Sequence, residues 1–107
     1  MPLKRTFILV LQEPANVHAV ASVVAEADGK VVLAKDAKEA LQRLNNFSFD
    51  AAVVGGHEVT EALVAELEAQ NVPIVVYGEP APTLKNALVV LDAAQLVQAL
   101  LIVLAGK

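Results

Sequence analysis

The stretch Thr6-Phe7-Ile8-Leu9-Val10-Leu11-Gln12-Glu13-Pro14 decides the fold class. Its short apolar run, bounded by polar residues, reads as a buried strand of a parallel sheet. Glu13-Pro14 then breaks the chain, and Pro14 suits the opening turn of a helix. Val17, Val20, Ala21 and Val24 follow at i, i+3, i+4 and i+7, the spacing of a buried helical stripe. Asp28-Gly29 ends that helix and turns the chain into Val31-Val32-Leu33, a second strand.

The same alternation runs to the end of the chain. Five apolar runs, at residues 6–11, 30–34, 51–55, 73–77 and 87–91, read as parallel strands. Asp36-Ala37-Lys38-Glu39 resembles a capping box with Asp36 as the cap, and Ala37, Ala40, Leu41 and Leu44 form the inner face behind it. Thr60 can cap a third helix in which Leu63, Val64 and Leu67 face inward while Glu61, Glu66, Glu68 and Gln70 stay wet. Pro73 opens its strand at a position where no ladder donor is needed. The fourth connection is short, with Pro80 and Pro82 inside residues 78–86. A parallel crossover usually takes about a dozen residues or more. A shortened fourth helix, at most a turn around residues 83–86, is expected there. Asp92 caps the last helix, which runs to about Ala105, and Gly106 ends it. The expected architecture is an α/β three-layer sandwich, a flavodoxin-like doubly wound five-stranded parallel sheet in the order 2-1-3-4-5, with residues 1–107 forming one domain.

Composition narrows the partners. The 107 residues are 56% hydrophobic, above the usual range of ~45–50%. Aromatics supply only 4%, so the core must be aliphatic. A short chain this apolar exposes part of the excess unless a partner covers it. The formal charge of −4 disfavours nucleic acid, which calls for a basic patch. The absence of cysteine removes disulfides, thiolate metal sites and cysteine nucleophiles, and suits a reducing compartment. The first apolar run is too short for a signal peptide core, and residues 96–105 are about half a membrane span. A cytoplasmic protein with no membrane contact is expected.

In open α/β sheets, ligands and chemistry gather outside the carboxyl ends of the strands. Here those ends carry Leu11-Gln12, Ala34, Gly55-Gly56, Tyr77 and Leu91, with no acid, thiol, serine or lysine among them. A catalytic site would converge several titratable groups at that edge. The chain therefore reads as a binding module, not an enzyme, with no cofactor. Gly55-Gly56-His57-Glu58 could admit an anion or a metal, but adjacent side chains diverge and glycine pairs are frequent in turns. His18 reads as an ordinary residue flanking the inner stripe, and Glu13 as a solvated carboxylate near a helix N-terminus.

The order and spacing of these runs resemble the receiver domain of bacterial two-component response regulators. The resemblance is carried by Ile8-Leu9-Val10-Leu11-Gln12-Glu13-Pro14, similar to that family's first strand and acidic turn. It is carried also by Ala37-Lys38-Glu39-Ala40-Leu41, similar to its second helix, and by Phe49-Asp50-Ala51-Ala52-Val53-Val54, similar to its third strand. The resemblance implies an acidic pair where this chain has Leu11-Gln12, and a phosphorylated aspartate where it has Gly55. A Ser or Thr is replaced by Tyr77, and a Lys-Pro pair by Val89-Val90. Aspartyl phosphate chemistry needs a carboxylate nucleophile, a divalent cation on hard oxygen ligands and a cation over the developing charge. With Leu11, Gln12, Gly55, Tyr77 and Val89 lining a vacated phosphorylation pocket, the resemblance implies a pseudo-receiver that is not phosphorylated and acts as a protein-interaction module in two-component-type signalling.

The last helix points to the interaction surface. Residues 93–105 hold only two polar side chains, Gln95 and Gln98. With Leu96, Leu100 and Val103 packed on the sheet, Val97, Leu101 and Leu104 become candidates for a second apolar surface. The shortened fourth connection should leave some of Ile74, Val76, Leu88 and Val90 in solvent. Tyr77 either fills the vacated pocket, packs plainly, or anchors an interface. The expected interface comprises Tyr77, Val90, Val97, Leu101 and Leu104, and the expected partner is a protein of unknown identity, a second copy of the chain first. The competing reading is a small-ligand sensor with an open pocket among Leu11, Gln12, Gly55 and Tyr77.

Overall fold

The strands β1 (Phe7–Leu11), β2 (Lys30–Ala34), β3 (Ala51–Val54), β4 (Ile74–Tyr77) and β5 (Leu88–Val90) form one parallel sheet in the order β2-β1-β3-β4-β5. The structure is a computed structural model, and it describes residues 6–12, 14–55, 60–78 and 88–105. The helices are α1 (Pro14–Glu26), α2 (Ala37–Asn46), α3 (Glu61–Ala69) and α4 (Leu96–Ala105). Because side chains alternate along a strand, each strand feeds two cores. Ile8, Val10, Ala51, Val53, Val75 and Val90 meet α1 and α4 on one face. Leu9, Leu11, Ala52, Val54 and Val76 meet α2 and α3 on the other. The three-layer sandwich and its strand order are as the sequence predicts. The expected short helix at residues 83–86 and the cluster of His57 and Glu58 lie outside the described residues, as does Glu13.

Helix ends follow local chemistry. Asp36 caps α2 by accepting the Glu39 N–H at 2.8 Å. The box closes differently from expectation, because the Glu39 carboxylate accepts the Lys35 N–H at 3.3 Å and faces Arg43 at 3.9 Å. Thr60 caps α3 by accepting the Leu63 N–H at 3.2 Å. Leu63, Val64 and Leu67 are buried, as the spacing predicts. Gln70 and Glu66 are not wet as expected. They are half-buried, with the Gln70 amide donating to the Leu44 carbonyl at 3.2 Å and to the Glu66 carboxylate at 2.8 Å. That pairing ties α3 to the end of α2.

Both α1 and α3 finish on a left-handed residue that is not glycine. Asp28 has φ 68° and Asn71 has φ 57°. Gly29 N–H bonds the Val24 carbonyl and Asp28 N–H bonds that of Ala25; Val72 N–H bonds Leu67 and Asn71 N–H bonds Glu68 in the same pattern. These are Schellman closures, and Asp and Asn tolerate the left-handed region better than other side chains. The last helix begins later than expected. Asp92 accepts the Ala94 N–H at 2.9 Å and opens a 3-10 turn, Ala93–Gln95, before α4 proper.

Replacing Asp36 with Ala removes a satisfied helix-start donor and is expected to lower unfolding free energy by about 1 kcal/mol, read from denaturant midpoints. Leu100 is fully buried whereas Ile102 is 57% exposed. Leu100→Ala is therefore expected to cost about 2–5 kcal/mol, and Ile102→Ala under about 0.5 kcal/mol in the monomer.

Candidate functional site

The carboxyl rim of the sheet is built from one step beyond β1 and β3. The register Leu11↔Val54 and the Gly55 N–H bond to the Leu11 carbonyl at 2.8 Å bring Gln12 beside Gly55. On the next strand, Val54↔Val76 sets Tyr77 beyond Gly55. Leu11, Gln12 and Gly55 are thus neighbours, Leu11 through its backbone carbonyl and Gln12 through its side chain. Val89 is not with them, because β4 lies between β3 and β5. Its side chain is 41% exposed and belongs to a groove on the β5 edge.

The rim is closed by a residue not singled out for that task. Gln12 is only 3% exposed, the one buried polar side chain among the described residues. Neither its amide nitrogen nor its carbonyl oxygen has a hydrogen-bond partner. A β-carbon placed on Gly55 would stand 3.2 Å from Gln12 Oε1 and 3.7 Å from its Cδ. The amide therefore lies directly over the bare backbone of Gly55. Leaving a buried polar group unpaired costs about 1–3 kcal/mol. The aromatic plug considered for this place is absent: Tyr77 is half-buried and packs on the core shared by α1 and α4.

The apolar surface also moves. Val90 is 4% exposed and belongs to the core beneath α4, so it is not an interface residue. The register explains the error: Val76 pairs with Val89, so Val89, not Val90, shares the face of Val76. Val76 is itself fully buried under α2 and α3. Val97 and Leu104 are half-buried and pack against the same core as Val103. They flank the buried arc of Leu96, Ala99 and Leu100, and α1 lies alongside to widen the cover. Successive helical residues turn by about 100°, which points Leu101 about 150° and Ile102 about 110° away from the centre of that arc, to its two sides. Of the expected set only Leu101, 38% exposed, is presented to solvent as proposed.

The exposed large apolar residues from β5 to the end of α4 are Leu88, Val89, Leu91, Leu101 and Ile102. A shallow groove of about 210 Å³ runs between β5 and α4, lined by Leu88, Val89, Gln95, Gln98 and Ile102 among others. No described residue lining it carries a charge. β5 is also an edge strand, with one side of its backbone unpaired in the sheet. The register of β4 with β5 was the signal that could have placed Leu88 here, since Leu88 pairs with Val75 on the face that α4 covers, whereas Val89 alternates to the face of Val76. Among the described residues no group of three or more His, Asp or Glu is placed to hold a metal ion, and no described helix is long and apolar enough to cross a membrane.

Replacing Gln12 with Met keeps the length of the side chain and removes its two unpaired groups. This substitution is expected to raise unfolding free energy by about 1 kcal/mol or more, measured by urea denaturation.

No protein-family model matches the sequence, and no curated protein matches it. Solved structures do. A response regulator receiver protein from Sinorhizobium medicae superposes with a TM-score of 0.80 at 17% identity, over 94% of this chain and 94% of that one. The receiver domain of a sensor histidine kinase from Pseudomonas aeruginosa, solved with a magnesium ion coordinated in its active-site cleft, gives 0.74 at 17%, over 94% and 98%. The pseudo-receiver domain of the CikA protein gives 0.68 at 20%, over 92% and 96%. With its strand order, its two helical layers and these neighbours, the chain has the fold of response-regulator receiver domains.

Proposed function

We propose that this chain is a pseudo-receiver: a non-catalytic signal-transduction module that is not phosphorylated and works by binding protein through the groove between β5 and α4. The observation that carries the first half is the Gln12–Gly55 contact at the rim. The Pseudomonas aeruginosa receiver domain was solved with a magnesium ion coordinated in its active-site cleft, and magnesium calls for hard oxygen ligands such as carboxylates. The matching residues here do not fit that ion. Leu11 offers hydrocarbon, Gly55 offers no side chain, and Gln12 offers a neutral amide already folded over Gly55. No phosphoryl acceptor stands at residue 55 either.

The second half rests on the uncharged groove. A chain of net charge −4 repels its own copies on average, yet Leu88, Val89, Gln95, Gln98 and Ile102 form a face without a charged group. Such a face is complementary to itself about a two-fold axis, where like meets like. A second copy of this chain is the proposed occupant. Dispersion and apolar burial would supply the affinity, with Leu101 and Leu91 extending the patch. The alternative of a small-ligand sensor is disfavoured because Leu11, Gln12 and Gly55 are buried against one another.

Two measurements test the reading. Incubation with acetyl phosphate and magnesium is expected to leave the intact mass of the protein unchanged, and a phosphoryl adduct would overturn the pseudo-receiver. Light scattering on a sizing column is expected to show a dimer, with Ile102→Glu shifting it to monomer at equal concentration. A wild-type protein that stays monomeric up to millimolar concentration would remove the second copy as partner.

A further inference from the structure

We propose that Gln12 is an internal plug for the rim, its side chain holding the volume that any side chain at residue 55 would need. The inference deepens the reading of an unphosphorylated rim and rests on it, but it assigns the closure to one residue. Glycine at 55 is not there to satisfy the backbone. Its φ lies outside the left-handed range that favours glycine, so the local chain would accept other residues. What meets an added β-carbon is the Gln12 side chain, with Oε1 at 3.2 Å, Cδ at 3.7 Å and the Gln12 Cα at 3.9 Å. At 3.2 Å the added carbon would press on the amide oxygen, which would have to give by a few tenths of an ångström.

The pair cannot separate easily. The Gly55 N–H is bonded to the Leu11 carbonyl at 2.8 Å, and Leu11↔Val54 is the last paired step of the two central strands. Their backbones are therefore held at a fixed spacing, and relief would have to come from the Gln12 side chain itself. That side chain is 97% buried by complement of its 3% exposure, and no hydrogen bond steers it. Its place is set by shape alone. Residues 12 and 55 thus form a matched pair in which one is large because the other is bare.

The test is a double-mutant cycle read by thermal unfolding, since groups in contact give non-additive effects. Gly55→Ala is expected to lower the midpoint by several degrees in the wild-type background. In Gln12→Ala, where the plug is removed, the same change is expected to raise the midpoint, because the methyl group then fills space. Additive effects, or a stabilising Gly55→Ala in the wild-type background, would overturn the plug. A second measurement needs no substitution. In the unaltered protein, nuclear Overhauser cross-peaks are expected between the Gln12 side-chain amide protons and the Gly55 α-protons. Their absence from an otherwise assigned spectrum would also overturn it. Neither result depends on acetyl phosphate labelling, so a failed plug and a failed pseudo-receiver would be told apart.

Discussion

A parallel sheet must be covered on both faces, and the rest of this molecule follows from that demand. Past Phe7, the exposed first residue of β1, the central strands meet it: Ile8, Leu9, Val10 and Leu11 of β1 and Ala51, Ala52, Val53 and Val54 of β3 are all completely buried. Two helices on each side do the covering, α1 with α4 and α2 with α3. Exposure of apolar side chains is thereby pushed to the edge strands. Leu33 on β2 and Leu88 and Val89 on β5 are exposed for this reason. The exposed apolar edge and the rim beyond the paired strands are consequences of the same layering.

At the rim, the layering leaves two positions just past the paired strands, Gln12 and Gly55, facing each other across one hydrogen-bonded step. In a fold whose neighbours include a magnesium-bound receiver and a pseudo-receiver, these positions carry an amide and no side chain. The amide is dry and unpaired, which is poor for stability and useful only as shape. The opposite edge has the reverse character. There the groove between β5 and α4 is open, shallow and uncharged among its described lining residues.

Much of this was legible from residue order. The β-α alternation, the Asp36 and Thr60 caps, and the inward stripes of α2 and α3 are local signals, and the structure carries each of them. The loss of reactive groups at the strand ends was equally plain, because it needs only the identity of residues 11, 12 and 55. The interface was less legible. Val90, Val97 and Leu104 were expected outside and lie on the core side, since α1 beside α4 buries a wider arc than one helix on a sheet would require.

What the sequence determined by itself was the periodicity, and with it the elements, their order and the missing chemistry. Which apolar residues are exposed was decided only by the tertiary structure. Leu100, Leu101 and Ile102 are adjacent and chemically alike, yet they are fully buried, part-exposed and outward. That difference depends on how β5 registers with β4 and on where α1 lies against α4. The same holds for Gln12, whose polarity argues for solvent in any sequence reading. Only the approach of β1 to β3 places its amide over the bare backbone of Gly55. At these positions burial is set by neighbours distant in the chain, which the local pattern does not encode.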